Sequence, residues 1–236
     1  MSNFQDSTVL VIGGSSGVGL ATAQLLERLG AKVTIASRSL EKLKAAKRQL
    51  SDATQLLPLD ITDSAQLQAL RDGPAWQHLV ISAAETPMGS LAALADDDAR
   101  RAMDSKFWGA YNAAKYIPIA DQGSITFVAG YLSLRPGKAS ALQSAINAAL
   151  EALGRALALE LAPVRVNTVS PGLLNTELWA GLAEDKREAM FDTVAKRLPV
   201  GRVGLAEDVA KAISFLIDNG YTSGSTVFVD GGGRIA

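Results

Sequence analysis

The stretch Thr8-Val-Leu-Val-Ile-Gly13-Gly-Ser-Ser-Gly17-Val-Gly19-Leu-Ala-Thr-Ala-Gln-Leu-Leu26 decides the fold. Thr8–Ile12 is an apolar, β-branched run of the kind that forms a strand covered on both faces. A glycine-rich turn follows, and then apolar residues recur at helical spacing. Each glycine has its own reason to be there. Gly13 permits a tight turn off the strand, Gly17 lets the backbone approach a pyrophosphate, and Gly19 lets the helix pack close to a sheet. The helix start, at Gly17-Val18-Gly19, offers free N–H groups and positive potential, and Ser15 and Ser16 add hydroxyl donors. A glycine-rich turn alone is a weak signal with a plain turn as its bland alternative. Between a buried strand and a helix it points to a dinucleotide site.

The same alternation runs outward to the end of the chain. Strands are predicted at Thr8–Ile12, Lys32–Ser37, Gln55–Asp60, His78–Ala83, Ser124–Val128, Arg165–Val169 and Thr226–Val229. Helices are predicted at Val18–Leu29, Leu40–Leu50, Ser64–Arg71, Asp97–Tyr116, Ala141–Leu161, Glu184–Lys196 and Ala206–Ile217. Strand–helix alternation implies right-handed crossovers and a parallel sheet with helices on both faces. The expected architecture is therefore α/β, one doubly wound domain over residues 1–236 with a seven-stranded sheet. The segment from Gly172 to Gly204 breaks the rhythm. It carries Leu173, Leu174, Leu178, Trp179, Leu182, Met190 and Phe191, and is read as a lid over a ligand crevice, with a surface hairpin against another subunit as the alternative.

Composition narrows the function classes. The 236 residues carry 48% hydrophobic and 20% charged side chains, a net charge of -1, one histidine and no cysteine. That charge lacks the basic excess of a nucleic-acid or anionic-membrane surface. Without cysteine, and with His78 alone, a disulfide scaffold and most zinc or iron–sulfur sites are excluded, and no metal site is expected. Met1 to Ser7 is polar and no apolar run approaches the about 18 to 20 residues of a membrane span. A soluble cytoplasmic protein is the expectation. His78 reads as a turn or edge residue, and Asp96-Asp97-Asp98 as a charge cluster favourable to a helix start.

The end of the second predicted strand selects the dinucleotide. An acidic residue there reads a ribose 2′-hydroxyl, whereas an arginine reads a 2′-phosphate. The chain has Ser37-Arg38-Ser39, with no carboxylate. Arg38 can fork onto a phosphate, with Ser37 and Ser39 as further donors, so NADP(H) is favoured over NAD(H).

These residues resemble the short-chain dehydrogenase/reductase family, and the resemblance covers nearly the whole chain. Gly13–Gly19 matches the family's G-x-x-x-G-x-G turn. Asp60-Ile61 stands where the family contacts adenine, and Ala83-Ala84 ends the segment Ile81-Ser82-Ala83-Ala84 that is usually Asn-Asn-Ala-Gly. Arg165-Val-Asn-Thr-Val-Ser-Pro171-Gly172-Leu173, with Thr176, resembles the family's nicotinamide-side loop. Gly224-Ser-Thr-Val-Phe-Val-Asp230-Gly-Gly resembles its last strand and turn. The resemblance implies that these positions hold NADP(H), beside an unidentified small-molecule substrate. It also implies a homodimer or homotetramer through the Ala-rich helix around Ala145–Ala158.

The catalytic positions depart from the pattern. The family carries Asn on its long fourth helix, Ser after the fifth strand, and Tyr-x-x-x-Lys on the next helix. Here Lys106, Gly130, Gln143 and Asn147 stand at those positions. The register holds, because Gln143 lies thirteen positions after Gly130, the family's interval. The sole Tyr-x-x-x-Lys, Tyr111 to Lys115, falls on the fourth helix and, at about 100° per residue, faces away from Lys106. Gln143 can orient a carbonyl but gives up no proton near neutral pH. Lys106 and Asn147 look like an exchange of the family's Asn and Lys, which keeps an ammonium at the site from the opposite wall. A solvated Lys106, or one paired with Asp104, is the alternative. Tyr131 is a second candidate for a phenol in the crevice. Three functions follow: an NADP(H)-dependent oxidoreductase with an atypical site acting on a small carbonyl, alcohol or imine; a catalytically inactive NADP(H)-binding sensor or regulatory protein; and a structural subunit. The intact glycine turn disfavours the last.

Overall fold

The structure, a computed structural model, describes residues 4–236. The predicted polar start falls partly outside them, and Phe4 is already buried in the core. β1 (Thr8–Ile12), β2 (Lys32–Ser37), β3 (Gln55–Pro58), β4 (Trp76–Ile81), β5 (Ile119–Val128), β6 (Arg165–Pro171) and β9 (Thr226–Val229) form one seven-stranded sheet in the order β3-β2-β1-β4-β5-β6-β9. Every pairing in it is parallel. A short parallel pair, β7 (Leu174–Asn175) with β8 (Gly204–Leu205), was not anticipated; it ties the two ends of the segment read as a lid.

β1 shows why the sheet is covered on both sides. Successive side chains of a strand point to opposite faces, so Val9 and Val11 join one core cluster and Leu10 and Ile12 the other. The first cluster is closed by α1 (Gly17–Arg28) and α8 (Ala206–Asp218), the second by α5 (Gly109–Tyr116) and α6 (Ala141–Glu160). Each fully buried Leu or Ile contributes about 1.5–3 kcal/mol. α2 (Leu40–Lys47) stops short of Leu50 because its last turn tightens, with Gln49 N–H donating to Ala46 and Leu50 N–H to Lys47. α3 (Ser64–Ala69) starts at Asp63, whose carboxylate accepts from Ala65 and Gln66 N–H and is held below its usual pKa by those bonds.

Two expectations are corrected by the packing. The long fourth helix is not one regular α-helix: α4 (Asp96–Ala102) passes through a π-helical segment, Met103–Trp108, into α5. His78 lies in a central strand rather than at an edge or turn, where its Nδ1 meets Ser124 Oγ at 2.9 Å. Burial, aided by the charge of Arg165, holds its pKa down at about 4. The acidic triplet does open α4, with Asp97 and Asp98 paired to Arg100 and Arg101. The 172–204 segment is partly anchored. α7 (Glu184–Ala195) buries Phe191, and Trp179 donates its indole N–H to Leu174 O at 3.0 Å, while Leu178 stays exposed. Among the described residues no helix is long and apolar enough to cross a membrane, and no cluster of potential ligands for a metal ion occurs.

Candidate active site

Strand order places the site. β1 lies between β2 and β4, so the turn after β1 sits between the ends of those two strands. A Cβ added to Gly13, where φ is +86°, would lie 2.5 Å from Ala83 N, and one on Gly19 would lie 2.2 Å from Gly13 O. Both are backbone obstacles that cannot yield, so the turn tolerates only hydrogen there. Gly17 is different, with φ +50° and room for a Cβ at ordinary contact: its nearest neighbours would be Glu177 Oε2 at 3.8 Å and Thr176 Cβ at 3.9 Å. The glycine turn and the Thr176 segment therefore face one another at the start of α1, the end of a helix that favours an anion. Ser16 is the N-cap of α1 and makes no side-chain cap bond, which leaves its hydroxyl available; Ser15 and Val18 keep some surface. Ser82, a residue the sequence reading passed over, tucks its Oγ under the turn and donates to Ile12 O at 3.1 Å.

The nucleotide-selecting end differs from expectation in two ways. Ser39 is the N-cap of α2 and accepts from Lys42 N–H, and Ser37 Oγ donates to Ser39 O at 3.3 Å. These bonds shape the turn; Ser39 Oγ only accepts in its bond, so its own O–H stays free to donate. Arg38 instead reaches across to Glu85, Nη1 to Oε2 3.2 Å, a partner the sequence gave no reason to expect. Asp60 accepts from the N–H and Oγ1 of Thr62, and Ile61 is buried against Gly109. Ala84 lies exposed at the end of the β4 segment. On the other side, Gly172 packs its Cα where a Cβ would meet Asp230 Cα at 2.8 Å, bringing Pro171, Gly172 and Leu173 under the turn that Asp230 caps.

The altered positions do meet. The ammonium of Lys106 donates to Asn147 Oδ1 at 2.7 Å and to Ala129 O at 2.9 Å. Asp104 is not its partner. The π-helical segment aims Lys106 inward, and burial lowers its pKa to about 8. Gly130 completes the arrangement: a Cβ there would stand 2.8 Å from Asn147 Nδ2. The residue without a side chain clears the space in which Asn147 reaches Lys106, so Lys106, Gly130 and Asn147 form one packed unit.

Gln143 is buried on the same face of α6, one turn before Asn147. Its Nε2 donates to Pro87 O, and its Oε1 is buried with no partner. Pro87 O is a carbonyl and can only accept, so Nε2 is the atom set against it, and the buried atom without a partner is the acceptor Oε1. Tyr131 lies with its ring edge 3.3 Å from where a Gly233 Cβ would be, against the C-terminal turn. Tyr111 is exposed and stacked edge-on with Trp108, away from Lys106, as the helical angle predicted. A buried carboxylate the sequence reading missed, Glu151, follows Asn147 by one turn and accepts from Ser133 Oγ and Ser170 Oγ, each at 2.6 Å. It clamps α6 to the turn after Gly130 and to the strand end before Pro171. The spacing Gln143, Asn147, Glu151 was the available signal: three polar residues one turn apart on an otherwise apolar helix face.

Comparison with known proteins agrees with this fold. The family model described as enoyl-(acyl carrier protein) reductase matches residues 13–233. A short-chain dehydrogenase/reductase of Stachybotrys chlorohalonatus is 31% identical, over 98% of both chains. The human 3-oxoacyl-[acyl-carrier-protein] reductase is 30% identical over 96% of this chain and 98% of its own. Among solved structures, a small-chain dehydrogenase in complex with NADPH superposes with a TM-score of 0.81 at 35% identity, over 98% of this chain and 100% of the other. A short-chain dehydrogenase/reductase from Brucella melitensis reaches 0.91 at 25% identity, over 100% and 99%. Likeness of this extent reaches from the glycine turn to the last strand, and the chain belongs to the short-chain dehydrogenase/reductase family.

Proposed function

We propose that the protein is an NADP(H)-dependent oxidoreductase acting on a small carbonyl, alcohol or imine, with Lys106 in place of the family's tyrosine as donor to the substrate heteroatom. The observation that carries the reading is the Lys106–Asn147 contact at 2.7 Å. Gly13, Gly17, Gly19, Arg38 and Thr176 hold the dinucleotide, which when bound supplies the hydride. An ammonium has three donors; two are committed to Asn147 and Ala129, and the third is available to a substrate oxygen or nitrogen. A pKa near 8 lets that group give up a proton close to neutral pH, as a general acid must. Asn147 orients the ammonium, Gly130 makes room for Asn147, and Gln143 offers Oε1 to a donor on the substrate. Tyr131 has a positioning role near the C-terminal turn. The NADPH complex of a structural relative supports the cofactor choice. A homodimer or homotetramer and a cytoplasmic location accompany this reading by family membership.

The buried acceptor of Gln143 favours a second form of the substrate. A protonated imine brings its own N–H, donates it to Oε1, and after hydride addition needs no proton from the protein. Oxidation of NADPH should be followed against a panel of aldehydes, ketones and cyclic imines, with wild type and Lys106→Met compared. Turnover by wild type that the variant loses supports Lys106 as donor. Turnover of imines that survives in Lys106→Met but falls in Gln143→Leu assigns their orientation to Gln143. Tight NADPH binding with no turnover of any member would overturn the enzymatic reading in favour of the sensor.

A further inference from the structure

Arg38 does not stand alone at the adenosine end of the groove. It follows β2, and its partner Glu85 follows β4; these strands are the two neighbours of β1 in the sheet. Their ion pair therefore crosses the carboxyl end of β1, beside the glycine turn, where the adenosine ribose of a dinucleotide must pass. Glu85 is firmly placed. Its backbone N–H donates to Ser105 Oγ at 3.0 Å, and the same hydroxyl donates to its carbonyl at 3.0 Å. Its second carboxylate oxygen faces Arg101 Nε at 3.9 Å. A carboxylate anchored at its main chain, with a guanidinium on either side, stands within one contact of whatever Arg38 touches.

We infer that Glu85 is a second cofactor-selecting residue, working against Arg38. A carboxylate accepts a hydrogen bond from a ribose 2′-hydroxyl and repels a 2′-phosphate, while an arginine favours the phosphate. Families usually place one or the other at the end of the second strand. Here the arginine comes from that strand and the acid from β4, so the two readers oppose each other across the groove. NADPH pairs with Arg38 and turns Glu85 toward Arg101; NADH keeps a foothold on Glu85. The preference for NADPH is consequently narrower than Arg38 alone would set. This inference rests on the proposed dinucleotide site.

The test is direct binding of NADPH and NADH, by calorimetry or by the fluorescence of the reduced nicotinamide, to wild type, Glu85→Gln, Arg38→Ala and the double variant. Glu85→Gln should tighten NADPH and weaken NADH, widening the ratio of dissociation constants by roughly five- to twentyfold, the size expected of a half-exposed charged contact. Arg38→Ala, with Glu85 as the lone reader, should prefer NADH, and the double variant should lose most preference. Parallel shifts of both dinucleotides in Glu85→Gln, or no shift, would overturn the inference while leaving the site intact. Absence of binding by wild type to both dinucleotides would overturn the proposed site itself, and the inference with it.

Discussion

The crevice has two halves that keep their function in different currencies. At the ends of β1, β2 and β4, the work falls to the backbone: Gly13 and Gly19 touch main-chain atoms that a methyl group would strike at 2.5 and 2.2 Å. Nothing but hydrogen fits, so the sequence there cannot drift and still fold. At the ends of β5 and β6 the work falls to side chains. A positive charge arrives from the π-helical segment, and the acceptor that meets it stands on α6. The two side chains can meet only if bulk is removed from their path. Gly130 removes it.

The sharpest way to break this comparison is Lys106→Met, which keeps the stem and deletes the charge. If the substrate half has resident acid chemistry, carbonyl turnover should fall by about 10²–10⁴-fold, the usual worth of a positioned general acid. Dinucleotide affinity, measured by calorimetry, should change far less. The wild-type rate of carbonyl reduction should also decline as pH rises through about 8, where the ammonium loses its proton. A flat profile would separate Lys106 from the chemistry.

The other half is tested by Arg38→Asp. Losing a charge-assisted phosphate contact should cost about 1.5–3 kcal/mol, or roughly ten- to a hundredfold in NADPH affinity, with NADH affected little. Equal loss for both would mean that Arg38 only shapes the groove.

A smaller effect sharpens the idea of one packed unit. Gly130→Ser places a Cβ 2.8 Å from Asn147 Nδ2 and should destabilise the protein by about 1–3 kcal/mol in chemical denaturation. Adding Asn147→Ala should recover part of that loss, since the obstacle is gone. By the same logic, Gly130→Ser with Gln143→Tyr and Asn147→Lys should give poor ketone reduction until Lys106→Asn removes the second ammonium. If the triple variant matches the quadruple, the positions are independent.

Much of the frame was legible in the sequence, for reasons these residues make plain. Thr8–Ile12, Lys32–Ser37 and Thr226–Val229 occur where predicted, because apolar runs buried on both faces leave a strong pattern. The meeting of Lys106 with Asn147 was legible because glycines and strands around them fixed the register. The π-helical segment was not, since a single wide turn hides inside a helical periodicity. Nor were the local bonds of Ser37 and Ser39, which cap α2 and shape the turn before it. Contacts between distant stretches, Arg38 with Glu85 and Gln143 with Pro87, depend on how loops after different strands converge, and spacing along the chain carries no trace of that.

The central claim is that Lys106 is a buried ammonium held for chemistry, and its titration tests it most directly. With ¹⁵N-labelled lysine side chains, NMR should show one amine titrating near pH 8, well below the ordinary 10.5, and absent in Lys106→Met. The linked stability has a definite sign. A lysine whose folded pKa is depressed binds its proton more weakly in the folded than in the unfolded chain. The protein should therefore gain stability as pH rises from about 8 toward 10.5, and Lys106→Met should lose that gain. If every lysine titrates near 10.5 and the two proteins share one pH–stability curve, Lys106 is an ordinary solvated residue and the account of the substrate half is wrong.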